Sequence, residues 1–135
     1  MKGRSKVEIY KELQGDIPSF FRDKPAINQQ LPVLYRLLTE DISAIDEKNI
    51  YSGGYVVHTL EASIWRLLTT DNYADSVLRA VNLGWDTDTT GAVTGGLAGL
   101  LYGEESFPTS WLAELAQLDR IIDLAERMAS GVLNV

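Results

Sequence analysis

Three glycines spaced four residues apart, Gly91, Gly95 and Gly99, run through an otherwise apolar stretch from Thr90 to Tyr102. Glycine in a helix interior costs about 0.8–1.0 kcal/mol relative to alanine. Four-residue spacing places all three on one helical face. Such a helix holds only where another backbone or a ligand lies close against the bare face. Membrane helices dimerise through similar faces, but this span is too short for that and its flanks are too polar. We therefore read it as a tightly packed soluble helix at the centre of the fold, able to carry a ligand.

The flanking periodicity is helical as well. Val56, Val57, Leu60, Ile64, Leu67 and Leu68 form one apolar stripe on a helix from Tyr55 to Thr70, after a break at Ser52-Gly53-Gly54. A second helix runs from Tyr73 to Leu83, burying Val77, Leu78 and Val81, with Gly84 as its C-cap. Two more are expected near Trp111 to Gln117, started by Pro108, and near Asp119 to Ser130, with Asp119 as N-cap. Upstream, Val7 to Gln14 reads as a helix closed by Gly15, and Phe20-Phe21 as a buried aromatic anchor among Pro18, Pro25 and Pro32. Pro32 opens a helix carrying Val33, Leu34, Leu37 and Leu38, and Asp41 to Asn49 is a short helix or loop. Trp65 and Trp111 lie in helical apolar patterns and are expected in the core. No useful alternating pattern, internal repeat or compositional break is present. The expectation is one all-α domain over residues 1–135, a multi-helix orthogonal bundle.

Composition excludes several chemistries. With no cysteine, disulfides, thiolate catalysis and zinc–thiolate sites are impossible. A net charge of −7, from 19 acids against 12 bases, opposes binding to nucleic acid. No run approaches the roughly 18 apolar residues of a membrane span. The basic start Met1-Lys2-Gly3-Arg4 is not followed by the apolar core of a signal peptide. No membrane association and a cytoplasmic location are expected.

Chemistry concentrates between Asn82 and Gly91, where Asp86-Thr87-Asp88-Thr89-Thr90 puts two carboxylates and three hydroxyls between two helices. Magnesium takes oxygen ligands, and Asp-x-Asp in a turn can aim two carboxylates at one point. Ordinary N-capping accounts equally well for an aspartate and a threonine at a helix start. Asp86, Asp88, Thr90 and Gly91 also match the first positions of an EF-hand, but Leu97 stands where the bidentate glutamate is required. His58, the one histidine, has neither cysteine nor serine motif beside it and reads as a structural or surface residue.

Read together, Ser52-Gly53-Gly54-Tyr55-Val56-Val57-His58-Thr59-Leu60-Glu61-Ala62, Ala80-Val81-Asn82-Leu83-Gly84 and Asp86-Thr87-Asp88-Thr89-Thr90-Gly91-Ala92-Val93-Thr94-Gly95-Gly96-Leu97-Ala98-Gly99 resemble the C-terminal portion of the ADP-ribosylglycohydrolase family. The resemblance is strongest over residues 53–135. It implies a helical fold with two Mg²⁺ ions at the base of a cleft, and removal of ADP-ribose from modified side chains or cleavage of related linkages. By motif, Asp86, Asp88 and Thr89 would be metal ligands, and Tyr55 would face an ADP-ribose-type ligand.

Two departures qualify that expectation. The family's Thr-Asp-Asp block, which completes the metal shell, has no counterpart here; Asp41 and Asp46-Glu47 lack its context. Magnesium should then bind weakly, and the isolated chain should be inactive in hydrolysis. Trp85 stands where the family has a second glycine, so a positive φ there would strain it. Its side chain either enters the cleft or covers apolar surface that the absent half would have covered, and the second is the expectation. The alternative function is a non-catalytic helical domain that oligomerises or binds a ligand or protein. Apolar surface left by a partial domain predicts a homodimer or higher assembly, or pairing with a complementary N-terminal half.

Overall fold

The computed structural model describes residues 4–133, and among these there is no strand. Eight α-helices are joined by short turns, several of them 3₁₀: α1 (Lys6–Phe21), α2 (Pro25–Asn28), α3 (Tyr35–Thr39), α4 (Val56–Thr69), α5 (Tyr73–Val81), α6 (Thr87–Tyr102), α7 (Thr109–Glu114) and α8 (Leu118–Leu133). None is long and apolar enough to cross a membrane. The all-α expectation holds.

Ser5 opens α1 with a capping box, its hydroxyl accepting from the Glu8 N–H while the Glu8 carboxylate accepts from the Ser5 N–H. The expected stop at Gly15 does not occur, and α1 continues through Pro18 to Phe21. Glycine closes a helix by turning left-handed; Gly15 instead stays helical, and the Ser19 hydroxyl donates back to its carbonyl at 2.9 Å. Proline deletes one N–H and strains the preceding turn. That turn is secured from outside, where the Gln14 amide donates to the Leu37 and Glu40 carbonyls. The longer helix carries Phe20 into solvent, 67% exposed, so the aromatic pair is no buried anchor. Its rings meet edge to face, with the Lys24 ammonium over Phe20.

The core gathers Tyr10 from α1, Leu37 from α3, Ile42 and Ile50 from the intervening turns, and Ala62 and Trp65 from α4. Its two aromatic residues bring polar atoms that need partners. The Tyr10 hydroxyl donates to the Leu37 carbonyl at 2.6 Å and the Trp65 indole N–H to Ile45 at 3.0 Å. Burial pushes the Tyr10 phenol up to about 12. Arg36 and Arg66 pair with Glu61 and Glu47, each at 3.2 Å, tying α4 to the segment before it. Trp111 lies outside the core, 36% exposed against the Tyr73 ring. Asp119 sits in the first turn of α8 rather than at its N-cap; Gln117, with φ 59°, turns the chain into that helix.

Helices α4 and α6 run parallel. The Thr94 hydroxyl donates to Ser63 and the Tyr102 hydroxyl to the Thr70 carbonyl, both at 3.0 Å, so partners pair at a nearly constant sequence offset. Helix α5 returns antiparallel between them, and it is the neighbour that the glycines admit. A Cβ on Gly91 would lie 2.8 Å from Val81 Cγ1, and one on Gly95 would lie 3.4 Å from the Tyr73 hydroxyl. Gly99 faces the Phe107 ring just beyond α6. The close approach expected from spacing alone is therefore present.

Candidate metal and ligand site

Helix α6 begins at Thr87, three residues earlier than its apolar pattern suggests, which places Asp86 at the N-cap and Asp88 and Thr89 in the first turn. The chain reaches that point through two consecutive left-handed residues, Gly84 at φ 83° and Trp85 at φ 63°. Glycine adopts this conformation freely, whereas a tryptophan does so only when its surroundings enforce it. Ser52 supplies the enforcement. Buried before α4, it donates its hydroxyl to the Gly84 carbonyl at 2.9 Å and accepts the Asp86 N–H on its own carbonyl at 3.1 Å.

The clamp sets the start of α6 against the start of α4. Asp86 Oδ2 lies 3.3 Å from where a Cβ on Gly54 would be, so the bare backbone of Gly54 makes room for the carboxylate. Although Asp86 holds the N-cap position, its side chain accepts no capping hydrogen bond. The neighbouring carboxyl is Asp88. Hydrogen bonding from the Asp86 carboxyl, then from the backbone N–H groups of Thr89 and of Asp88 itself, holds Asp88 below the usual carboxylate range. Thr89 is exposed beside them, while Thr90, on the inward face of the same turn, is fully buried with no partner for its hydroxyl.

This donor set fits part of a magnesium shell: two adjacent carboxylates and a hydroxyl, all oxygen, on one helical turn. It does not fill one. Among the described residues no group of three or more acidic, histidine or cysteine side chains could hold a metal ion. Water or other protein groups would supply the remaining positions.

The Gly54–Asp86 approach also brings Tyr55 to this end of the molecule. It precedes α4, is 52% exposed, and meets the His58 ring edge to face at 5.1 Å. Tyr51, equally open, has its ring 5.5 Å from that of His58, tilted by 35°. The partly buried histidine thus contacts both tyrosine rings, in keeping with a structural residue. Trp85 projects outward, 87% exposed. Sequence reasoning did not find Ser52 or Gly54 as supports of the site; the Ser-Gly-Gly break was visible as a turn, but not what it held.

The sequence model of the ADP-ribosylglycohydrolase family matches residues 2–134, reaching well upstream of the blocks from Gly53 onward. An ADP-ribosylarginine hydrolase, Tri1, of Serratia proteamaculans is 42% identical over 110 residues, 79% of this chain and 30% of the relative. Its namesake from Pseudomonas putida is also 42% identical, over 58% of this chain and 21% of its own. An ADP-ribosyl-[dinitrogen reductase] glycohydrolase of Rhodospirillum rubrum is 39% identical over 47% of this chain and 22% of its own. The chain spans less than a third of the length of these relatives. With the match running across nearly all of it and through the Asp86–Gly99 block, the chain belongs to the ADP-ribosylglycohydrolase family.

Proposed function

We propose that this chain supplies one side of a magnesium-dependent site for ADP-ribose conjugates of arginine, and that alone it binds the ligand weakly and does not hydrolyse it. The observation that carries this reading is the Asp86 carboxylate. It stands at a helix N-cap, caps nothing, and is held beside a second carboxyl by the Ser52 clamp and the gap at Gly54. A pure capping role would put that carboxylate on a backbone N–H. Asp86, Asp88 and Thr89 would hold Mg²⁺, whose charge, when bound, orients ribose hydroxyls and favours water attack at the anomeric carbon. The positive end of α6 favours the ligand's phosphates nearby. Tyr55 would line the same cleft. That the Serratia and Pseudomonas relatives are ADP-ribosylarginine hydrolases supports arginine as the conjugated side chain.

The test is calorimetric titration with Mg²⁺ and ADP-ribose together, on the wild type and on Asp86→Asn. Saturable binding in the wild type, abolished in the variant, is the expected result. If neither protein binds, or if Asp86→Asn binds as the wild type does, the turn is a helix start and nothing more.

The exposed apolar surface favours a second reading, of assembly. Val56, Leu100, Met128 and Val132 are each more than 60% exposed, and an apolar groove of about 230 Å³ runs between α1, α4 and α6 past Leu13, Ile64 and Leu97. Patches of this kind are covered in stable proteins, and we infer that copies of the chain cover one another. Light scattering should read at least twice the 15.0 kDa chain mass. A monodisperse monomer at high concentration removes this inference.

A further inference from the structure

We propose that Trp85 determines specificity, stacking its indole on the planar guanidinium of the arginine that bears the ADP-ribose. The proposal rests on the ligand reading above and adds to it the group that recognises the leaving side chain. Three observations carry it.

The first is exposure: at 87%, Trp85 is more open to solvent than any other large apolar side chain among the described residues, so packing within this chain does not account for it. The second is its backbone. Trp85 is held at φ 63°, a conformation that glycine takes freely and bulky residues resist. Two hydrogen bonds flank it and hold it there, one donated by the Ser52 hydroxyl to Gly84 and one accepted by the Ser52 carbonyl from Asp86. A large ring kept where its own backbone opposes it, and where it buries nothing, is present for what its face can meet.

The third is chemical setting. Trp85 is bonded directly to Asp86, and the Asp88 carboxyl lies one helical turn away. An open aromatic face suits a guanidinium, which stacks through its plane and is attracted by the ring quadrupole. Position along the ligand agrees. Metal-binding carboxylates mark the ribose carbon that reacts, and the arginine leaves from that carbon. The adenine lies a pyrophosphate away, too far to be the natural partner of a residue adjacent to Asp86.

The experiment follows intrinsic fluorescence in the presence of Mg²⁺, with two probes, ADP-ribose and ADP-ribosyl-agmatine, which adds a guanidinium. The proteins are the wild type, Trp85→Phe and Trp85→Gly, and calorimetry reads both variants, which lack the Trp85 fluorophore. Trp85→Gly should bind ADP-ribosyl-agmatine about tenfold more weakly than the wild type, bind ADP-ribose unchanged, and melt no lower, because glycine accepts the backbone. Trp85→Phe should fall between. Equal weakening for both probes would place the ring on the ADP-ribose portion and overturn the proposal, as would unchanged affinity for both. A lower melting temperature for Trp85→Gly would show that the indole packs, with the same consequence. Failure of the wild type to bind ADP-ribose at all would instead remove the site on which the proposal rests.

Discussion

Helices α6 and α8 are each 16 residues long, yet they relate to the rest of the molecule in opposite ways. In α8, Leu118, Ile121, Ala125, Met128 and Val132 recur at the spacing of a heptad seam, with charged residues opposite. Even so, every residue from Asp119 to Val132 is exposed. Helix α6 has glycines, threonines and apolar residues mixed around it, with no clean stripe. Its Thr90, Thr94 and Ala98 are nevertheless fully buried, and it packs on both α4 and α5. Amphipathic patterning shows what a helix is able to bury. Small residues on a face show that something already lies against it.

Glycine offers the sharpest way to break that comparison. Gly91 and Gly131 are both helical glycines, and replacement by alanine gains about 0.8–1.0 kcal/mol in a helix interior, less at Gly131 in the last turn of α8. At Gly131 nothing lies within 4 Å of the added Cβ, and that smaller gain should appear in full. At Gly91 the new methyl would meet Val81 Cγ1 at 2.8 Å, and overpacking of this kind costs about 1–3 kcal/mol. Urea denaturation should therefore show Gly131→Ala stabilised and Gly91→Ala destabilised or at best unchanged. A destabilised Gly131→Ala would mean that a neighbour lies against the Gly131 backbone itself, as Val81 does at Gly91, and the contrast between the two helices would fail.

Sequence legibility follows the same division. The α4–α5–α6 unit was readable because its signals are local: a stripe from Val57 to Leu68 and bare backbone at Gly91, Gly95 and Gly99. Gly84, however, is not the C-cap, since α5 ends at Val81 and is capped by Asn82, and Val56 and Leu78, placed on apolar faces, are exposed. Helix α1 was read too short, since Gly15 and Pro18 are breakers only when no tertiary contact holds the turn, and the Gln14 amide holds it. Phe20 was placed inside by its hydrophobicity, but the extended helix carries it out. At the site, the Asp86–Thr89 turn and the strain at Trp85 were legible as motif and departure. The clamp from Ser52 was not, because a serine 32 residues away from Gly84 gives no local signal of what it binds.

The smallest expected effect sharpens the comparison from inside α4. Glu61 has a side chain only 5% exposed, paired with Arg36. Burial raises its pKa above the usual carboxylate value; Arg36 and His58 pull it back down, and Glu40 pushes it up further. The folded protein therefore binds more protons than the unfolded chain between the ordinary value and the raised one. Across that window stability falls as pH rises, and the contribution is complete only below the ordinary carboxylate range. Glu61→Gln removes this titration while keeping the shape, and Arg36, its side chain 29% exposed, remains partly solvated. Carboxylates held low, such as Glu8 and Asp46, produce the opposite slope, but equally in both proteins. The difference in Tm, wild type minus Glu61→Gln, should thus become less positive from about pH 4 to pH 7. A difference that grows with pH would mean that the Arg36 pair outweighs burial, and that the charge of Glu61 stabilises α4 rather than being tolerated by it.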